Sequence, residues 1–179
     1  DIPGICSALG DVGVDRLERV RILGAGATAR SAVAAVAEMG AVSIVVHARR
    51  PEAADEVVRL ARDLGCSSRG ADLDVQWGED DLLISTLPAD AGAPWAAALD
   101  ADRIGHTALL DASYHPWPTP LAQAWARHAP VAPVASGRDM LLWQAVDQVR
   151  LMTGAVTDAN LARVAQVMRS ALSTDGSSP

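Results

Sequence analysis

A three-layer α/β fold, doubly wound around a mostly parallel sheet of about six strands, is what this sequence predicts. Short β-branched apolar runs alternate with helical segments of ten or more residues. The first such run ends in two glycines one residue apart, which lead straight into an alanine-rich helix. With 179 residues, 50% of them hydrophobic, the chain can bury one good core. One domain over residues 1–173 is expected, with a linker helix in 1–15, returning helices in 139–172 and a disordered tail at 174–179.

Each element has a local reason. ERVRILG (18–24) is an apolar strand closed by glycine, and 27–39 is a helix of small residues stopped at Gly40. AVSIVVHA (41–48) is β-branched and reads as a buried strand. Pro51 opens a helix through Leu64, with Gly65 as its stop. Residues 66–79 look irregular; DLLISTL (81–87) is a strand broken by Pro88, and 95–99 makes a turn or two of helix. HTALLDASY (106–114) is a strand, 119–128 a helix, and PVAPVAS (130–136) a short strand weakened by its prolines. Helices over 139–153 and 158–172 finish the chain, the second capped by Asp158.

Composition excludes several functions. The net charge of −7 and the lack of a basic run argue against nucleic acid as a partner. No apolar run of about 18 residues is present to span a membrane, and no signal segment opens the chain, so a cytoplasmic protein is expected. Cys6 and Cys66 show neither disulfide nor zinc spacing, and no metal site is expected. All fifteen basic residues are arginine, so this chain alone offers no lysine for Schiff-base or general-base work.

GAGATA at 24–29 follows a strand and opens a helix, the setting in which a Rossmann-type turn cradles a pyrophosphate. Gly24 makes the tight turn, Gly26 lets the backbone approach phosphate, and Ala29 keeps helix and strand close. After the second strand an acidic residue would favour NAD. This chain instead has Arg49 and Arg50, whose guanidinium groups suit the extra phosphate of NADP.

Several stretches together resemble the shikimate dehydrogenase family, in its C-terminal NADP-binding half with the returning helix. DIPGICSAL resembles the end of the family's NTDxxGFxxxL segment, and GAGATA stands where GAGGA is usual. ARRPEAADEV resembles NRTxEKAxxL, DDLLISTLP resembles the family's aDlvINaTP, and LLDASYHPWPTPL resembles xxDxxYxPxxTxL. SGRDMLLWQAVDQVRLMTG resembles dGxxMLxxQaxxqFxxwtG, and the order is the family's across residues 1–154.

That resemblance implies reversible NADPH-dependent reduction of 3-dehydroshikimate to shikimate, in aromatic amino acid biosynthesis. It implies that Gly24, Ala25, Gly26, Ala27 and Thr28 hold the pyrophosphate, while Ala48, Arg49 and Arg50 clamp the adenosine phosphate. Ala112 and Gly137 would line the nicotinamide, Tyr114 and Gln144 would reach the substrate, and Asp1 would be the catalytic aspartate that also binds a substrate hydroxyl. Ala27 and Thr28 depart from the usual Gly-Ala, and Ala48 lacks the usual asparagine amide. The family's lysine falls before Asp1, so this fragment is expected to be inactive alone and to share its substrate with a missing N-terminal domain. The assembly is expected to be a monomer or a homodimer. A paralogue acting on quinate or an aminoshikimate with NAD, and a non-catalytic nucleotide-binding module, stay open as alternatives.

The remaining polar residues have plainer readings. The four histidines are expected at the surface or at strand ends, with His115 nearest the cleft. Asp80 and Asp81 are expected to be solvated, and the five tryptophans to serve packing. The apolar face of the last helix (Leu161, Val164, Ala165, Met168, Leu172) is expected to await the missing domain.

Overall fold

A computed structural model describes residues 1–74 and 77–174. Six parallel strands form one sheet in the order β3-β2-β1-β4-β5-β6, the doubly wound arrangement that the alternation predicts. The strands are β1 (Arg19–Leu23), β2 (Ser43–His47), β3 (Ser67–Ala71), β4 (Leu82–Ser85), β5 (Ala108–Asp111) and β6 (Val134–Ser136). The helices are α1 (Ile2–Asp11), α2 (Ala27–Glu38), α3 (Pro51–Asp63), α4 (Ala93–Ala97), α5 (Ala101–Ile104), α6 (Pro120–His128), α7 (Gly137–Thr153) and α8 (Leu161–Thr174). No helix among the described residues is long and apolar enough to cross a membrane.

One face of the sheet packs Val20, Ile22, Ile44, Val46 and Ile84 against alanines and valines of α1, α2 and α3. The other packs Leu23, Leu83 and Leu109 against Trp95, Leu121 and Trp125. Helix starts follow capping chemistry. Thr119 Oγ1 accepts from Ala122 N at 3.1 Å and so starts α6, while Ser136 and Asp139 form a reciprocal capping box that starts α7 at Gly137 rather than at 139. Gly154, left-handed at φ 65°, closes α7.

Four expectations change. The stretch read as irregular contains β3, an edge strand whose side chains are mostly exposed, so it carries no apolar periodicity to read. Asp158 does not cap the last helix: its carboxylate pairs with Arg150 at 3.0 Å, and Asn160 makes the turn by accepting from Thr157 N at 2.8 Å. The apolar face of α8 does not stand free either. Ala165 is buried, and Leu161, Val164 and Met168 are packed, against Leu142 and Val146 of α7, leaving Leu172 half exposed. In place of a last strand over 130–136 there is a three-residue β6, which begins after Pro133, since proline brings no N–H to the ladder. Of the tail expected at 174–179, Thr174 is the last residue of α8, and 175–179 lie outside the described residues.

Candidate cofactor and substrate site

Chain order reverses across the sheet between β1 and β4, so their carboxyl ends open a crevice. Gly24 leaves β1 at φ +105°, donates its N–H to His47 O at 2.8 Å, and abuts Thr86 Oγ1 so closely that a Cβ there would collide. The turn itself therefore demands glycine at this position. Gly26 differs: its φ of −86° suits any residue, and a Cβ there would meet nothing described within 4 Å. It is the N-cap of α2, whose first amides receive no side-chain cap.

A cleft of about 200 Å³ lies above this turn, lined by Gly24, Ala25, Gly26, Ala48, Arg49, Arg50 and, from facing segments, Ala53, Leu73, Thr86 and Leu87. Six of the eight residues expected around pyrophosphate and adenosine phosphate thus share one wall. Ala27 and Thr28 sit on the first turn of α2 beside it rather than in its lining. Arg49 and Arg50 are exposed, and among the described residues neither guanidinium enters an ion pair.

A second group forms at the ends of β5 and β6. Gly137 lies against the Ala112 carbonyl with no space for a Cβ, and Arg138 Nε donates to Tyr114 O at 3.1 Å. The Tyr114 side chain is 59% exposed. The segment is anchored by Asp111, buried at the end of β5, which accepts from Thr119 Oγ1 at 2.6 Å and from Ser113 N at 3.1 Å. Burial pushes the Asp111 carboxyl above the usual aspartate range, against the opposing pull of those hydrogen bonds.

A third group joins three helices. Asp1 Oδ1 accepts from Gln144 Nε2 of α7 at 2.7 Å, and Oδ2 accepts from Ser31 Oγ of α2 at 3.2 Å. Gly4 makes this possible, because a Cβ there would lie 2.7 Å from Gln144 Cγ and 2.8 Å from Met140 O. The sequence assigned Asp1 and Gln144 to a substrate site only through the family resemblance, without joining them, and gave no role to Ser31, Gly4, Leu73 or Thr86. Ser31 had a signal: it is one of the few polar residues in an alanine-rich helix. No hydrogen bond among the described residues links the Tyr114 hydroxyl to the Asp1 group.

His47 stands at a strand end, as expected, while Asp80 corrects the sequence reading. His47 is fully buried, and Asp80 is tucked against the buried Arg21, with Nε donating to Oδ2 at 2.7 Å. Asp81 Oδ2 accepts from the backbone N–H of Glu18 and Arg19, at 2.9 and 2.8 Å, so it too is a structural acceptor.

No family model matches the chain. Among curated proteins, a shikimate dehydrogenase (NADP(+)) of Methanococcoides burtonii is 33% identical over 156 residues, covering 84% of this chain and 55% of that protein. One from Geobacter metallireducens is 30% identical over 144 residues, covering 76% and 50%. The crystal structure of Mycobacterium tuberculosis shikimate dehydrogenase superposes with a TM-score of 0.77 at 33% identity, covering 93% of this chain and 61% of that one. Over most of its length the chain is thus similar to shikimate dehydrogenases, in sequence and in structure. It spans about half the length of the curated shikimate dehydrogenases it matches.

Proposed function

We propose that this chain is the NADP-binding portion of a shikimate dehydrogenase, serving reversible NADPH-dependent reduction of 3-dehydroshikimate to shikimate. The observation that carries the reading is the contrast between the two glycines. Gly24 is required by its own backbone, whereas nothing described around Gly26 requires glycine, and Gly26 lines the cleft together with Arg49 and Arg50, which enter no ion pair among the described residues. A ligand that needs close backbone approach explains that choice. The NADP(+) named for the curated relatives supports the same reading.

In this reading the residues divide the work. Gly24, Ala25, Gly26, Ala27 and Thr28 offer backbone N–H groups to a pyrophosphate, and Arg49, with Arg50 beside it and Ala48 behind, grips the adenosine phosphate. Gly137 and Ala112, in close contact at the ends of β5 and β6, line the nicotinamide. The nucleotide, when bound, supplies the hydride chemistry. Asp1 orients a substrate hydroxyl, held by Gln144 and Ser31; Gln144 and Tyr114 complete the substrate contacts. No lysine exists in these 179 residues, so an ammonium for the proton step must come from outside them. That same absence favours, as the second reading, a nucleotide-binding module without chemistry.

Titrating the chain with NADPH and NADH, with and without Arg49→Ala, tests the cofactor assignment. NADPH is expected to bind more tightly and to lose about 1.5–3 kcal/mol on the substitution, the scale of a charged hydrogen bond. Equal affinities would overturn it. Turnover of shikimate by the longer protein, and its absence on quinate with NAD, separates the dehydrogenase from its rivals.

A further inference from the structure

Beneath the carboxyl end of β2 runs a buried polar chain that none of the roles above uses. Arg21 on β1 and His47 on β2 are both buried, and Arg21 Nη1 lies 2.6 Å from His47 Nε2 while His47 Nδ1 lies 2.6 Å from Asp72 O. A guanidinium only donates and a carbonyl only accepts. His47 Nε2 must therefore accept and Nδ1 must carry the proton, and the neutral Nδ1–H tautomer satisfies both contacts at once. Trp95 packs edge-on against the imidazole at 5.0 Å, and its Nε1 donates to Leu73 O at 3.2 Å. Two successive carbonyls are pinned in this way, and the second belongs to Leu73, which lines the cleft together with Ala48 and Arg49.

We propose that neutral His47 is a positioning residue for the nucleotide cleft: through the Asp72 carbonyl it holds Leu73 in place and so fixes the width of the cleft beside Arg49 and Arg50. This rests on the nucleotide reading given above. The charged groups around the imidazole are Arg21 from β1, Arg69 from β3 and Asp80 from the segment before β4; Trp95 of α4 is uncharged. Burial drops the His47 imidazole below its ordinary range, the Asp72 carbonyl pulls the other way, and Arg21 and Arg69 lower it further against Asp80. Protonation would turn Nε2 into a donor facing the Arg21 guanidinium, cation against cation. The strut is therefore intact at neutral pH and fails in acid, at a pH below about 6.5.

The test measures NADP+ and 2′,5′-ADP affinity of the full chain for wild type, His47→Asn, His47→Gln and His47→Leu, with thermal melts to verify folding. Asparagine keeps a donor near the Nδ1 position, glutamine offers an acceptor near Nε2, and leucine keeps neither. Both ligands are expected to weaken about tenfold in the glutamine and leucine variants, and less than about threefold in the asparagine variant. As the pH is lowered from about 7.5 through the protonation of His47, followed by its imidazole NMR signals, wild type should lose more affinity than His47→Asn, the ligand phosphate's own titration being common to both. Wild-type binding unchanged in His47→Leu, an asparagine variant as weak as the leucine one, or identical pH profiles would each overturn the inference alone. Absence of NADP+ binding by wild type would overturn the nucleotide reading, and this inference with it.

Discussion

The two faces of the sheet are made of different materials. Toward α1, α2 and α3 the buried residues are small or aliphatic: Ala29, Ala32, Val33 and Val36 meet Val20, Ile22, Ile44 and Val46. Helices of ten to thirteen residues with alanine faces can lie close to strands. Toward α4 and α6 the helices are shorter, five and nine residues, and the space beneath them is filled by Trp95 and Trp125. There the indoles also take up backbone carbonyls, Trp125 Nε1 donating to Thr107 O at 3.1 Å and Trp77 Nε1 to Ala98 O at 2.7 Å. The buried His47–Arg21–Asp80 chain belongs with that second face, beside Trp95. A face built from many interchangeable contacts tolerates loss, whereas one built from a few large and polar anchors concentrates its stability in single residues.

Trp125→Ala should therefore cost the most, about 3–5 kcal/mol in a urea unfolding experiment, through the cavity and the stranded Thr107 carbonyl. A loss no larger than the roughly 1 kcal/mol of Ile22→Val on the other face would break the contrast. Next comes Arg21→Met, expected to cost about 3 kcal/mol because it leaves the Asp80 carboxylate poorly solvated and unpaired. Adding Asp80→Leu should return part of that stability, since replacing both members of a buried pair is far milder than removing one. No recovery in the double variant would place the cost elsewhere.

The two glycines at the cleft sharpen the picture at smaller scale. Gly24→Ala is expected to cost about 1–3 kcal/mol in stability, from the positive φ and the Thr86 contact. Gly26→Ala should cost under about 1 kcal/mol, a helix-cap effect, while weakening NADP+ about tenfold by calorimetry. Equal stability losses at the two positions, with unchanged nucleotide affinity, would remove the argument for a ligand at Gly26.

The alternation of elements was legible because it is written locally. Apolar β-branched runs, Pro51 at a helix start and Gly40 or Gly65 at a helix stop placed α2, β2 and α3 within a residue or two of where they are. The glycine turn and the paired arginines were legible for the same reason, and they do line one cleft. The edge strand β3 was not, since SSRGA has no apolar pattern and is held by backbone pairing to β2 and by hydrogen bonds of Ser68 to Val58 O and Arg62 of α3. Asp80 read as solvated, because a carboxylate just ahead of a strand says nothing about the Arg21 guanidinium 59 residues away that makes its burial affordable.

By itself, then, the sequence determined the order and kind of the elements and the glycine turn after β1, because short-range sterics, capping and hydrophobic period decide these within a few residues. Only the tertiary structure decided which distant groups meet: Asp1 with Gln144 across 143 positions, Gly137 with Ala112, and His47 with Asp72 beneath the cleft. Such contacts depend on how closely whole helices approach one another and the sheet. That distance is set by summed packing over the fold, and no local stretch of residues encodes it.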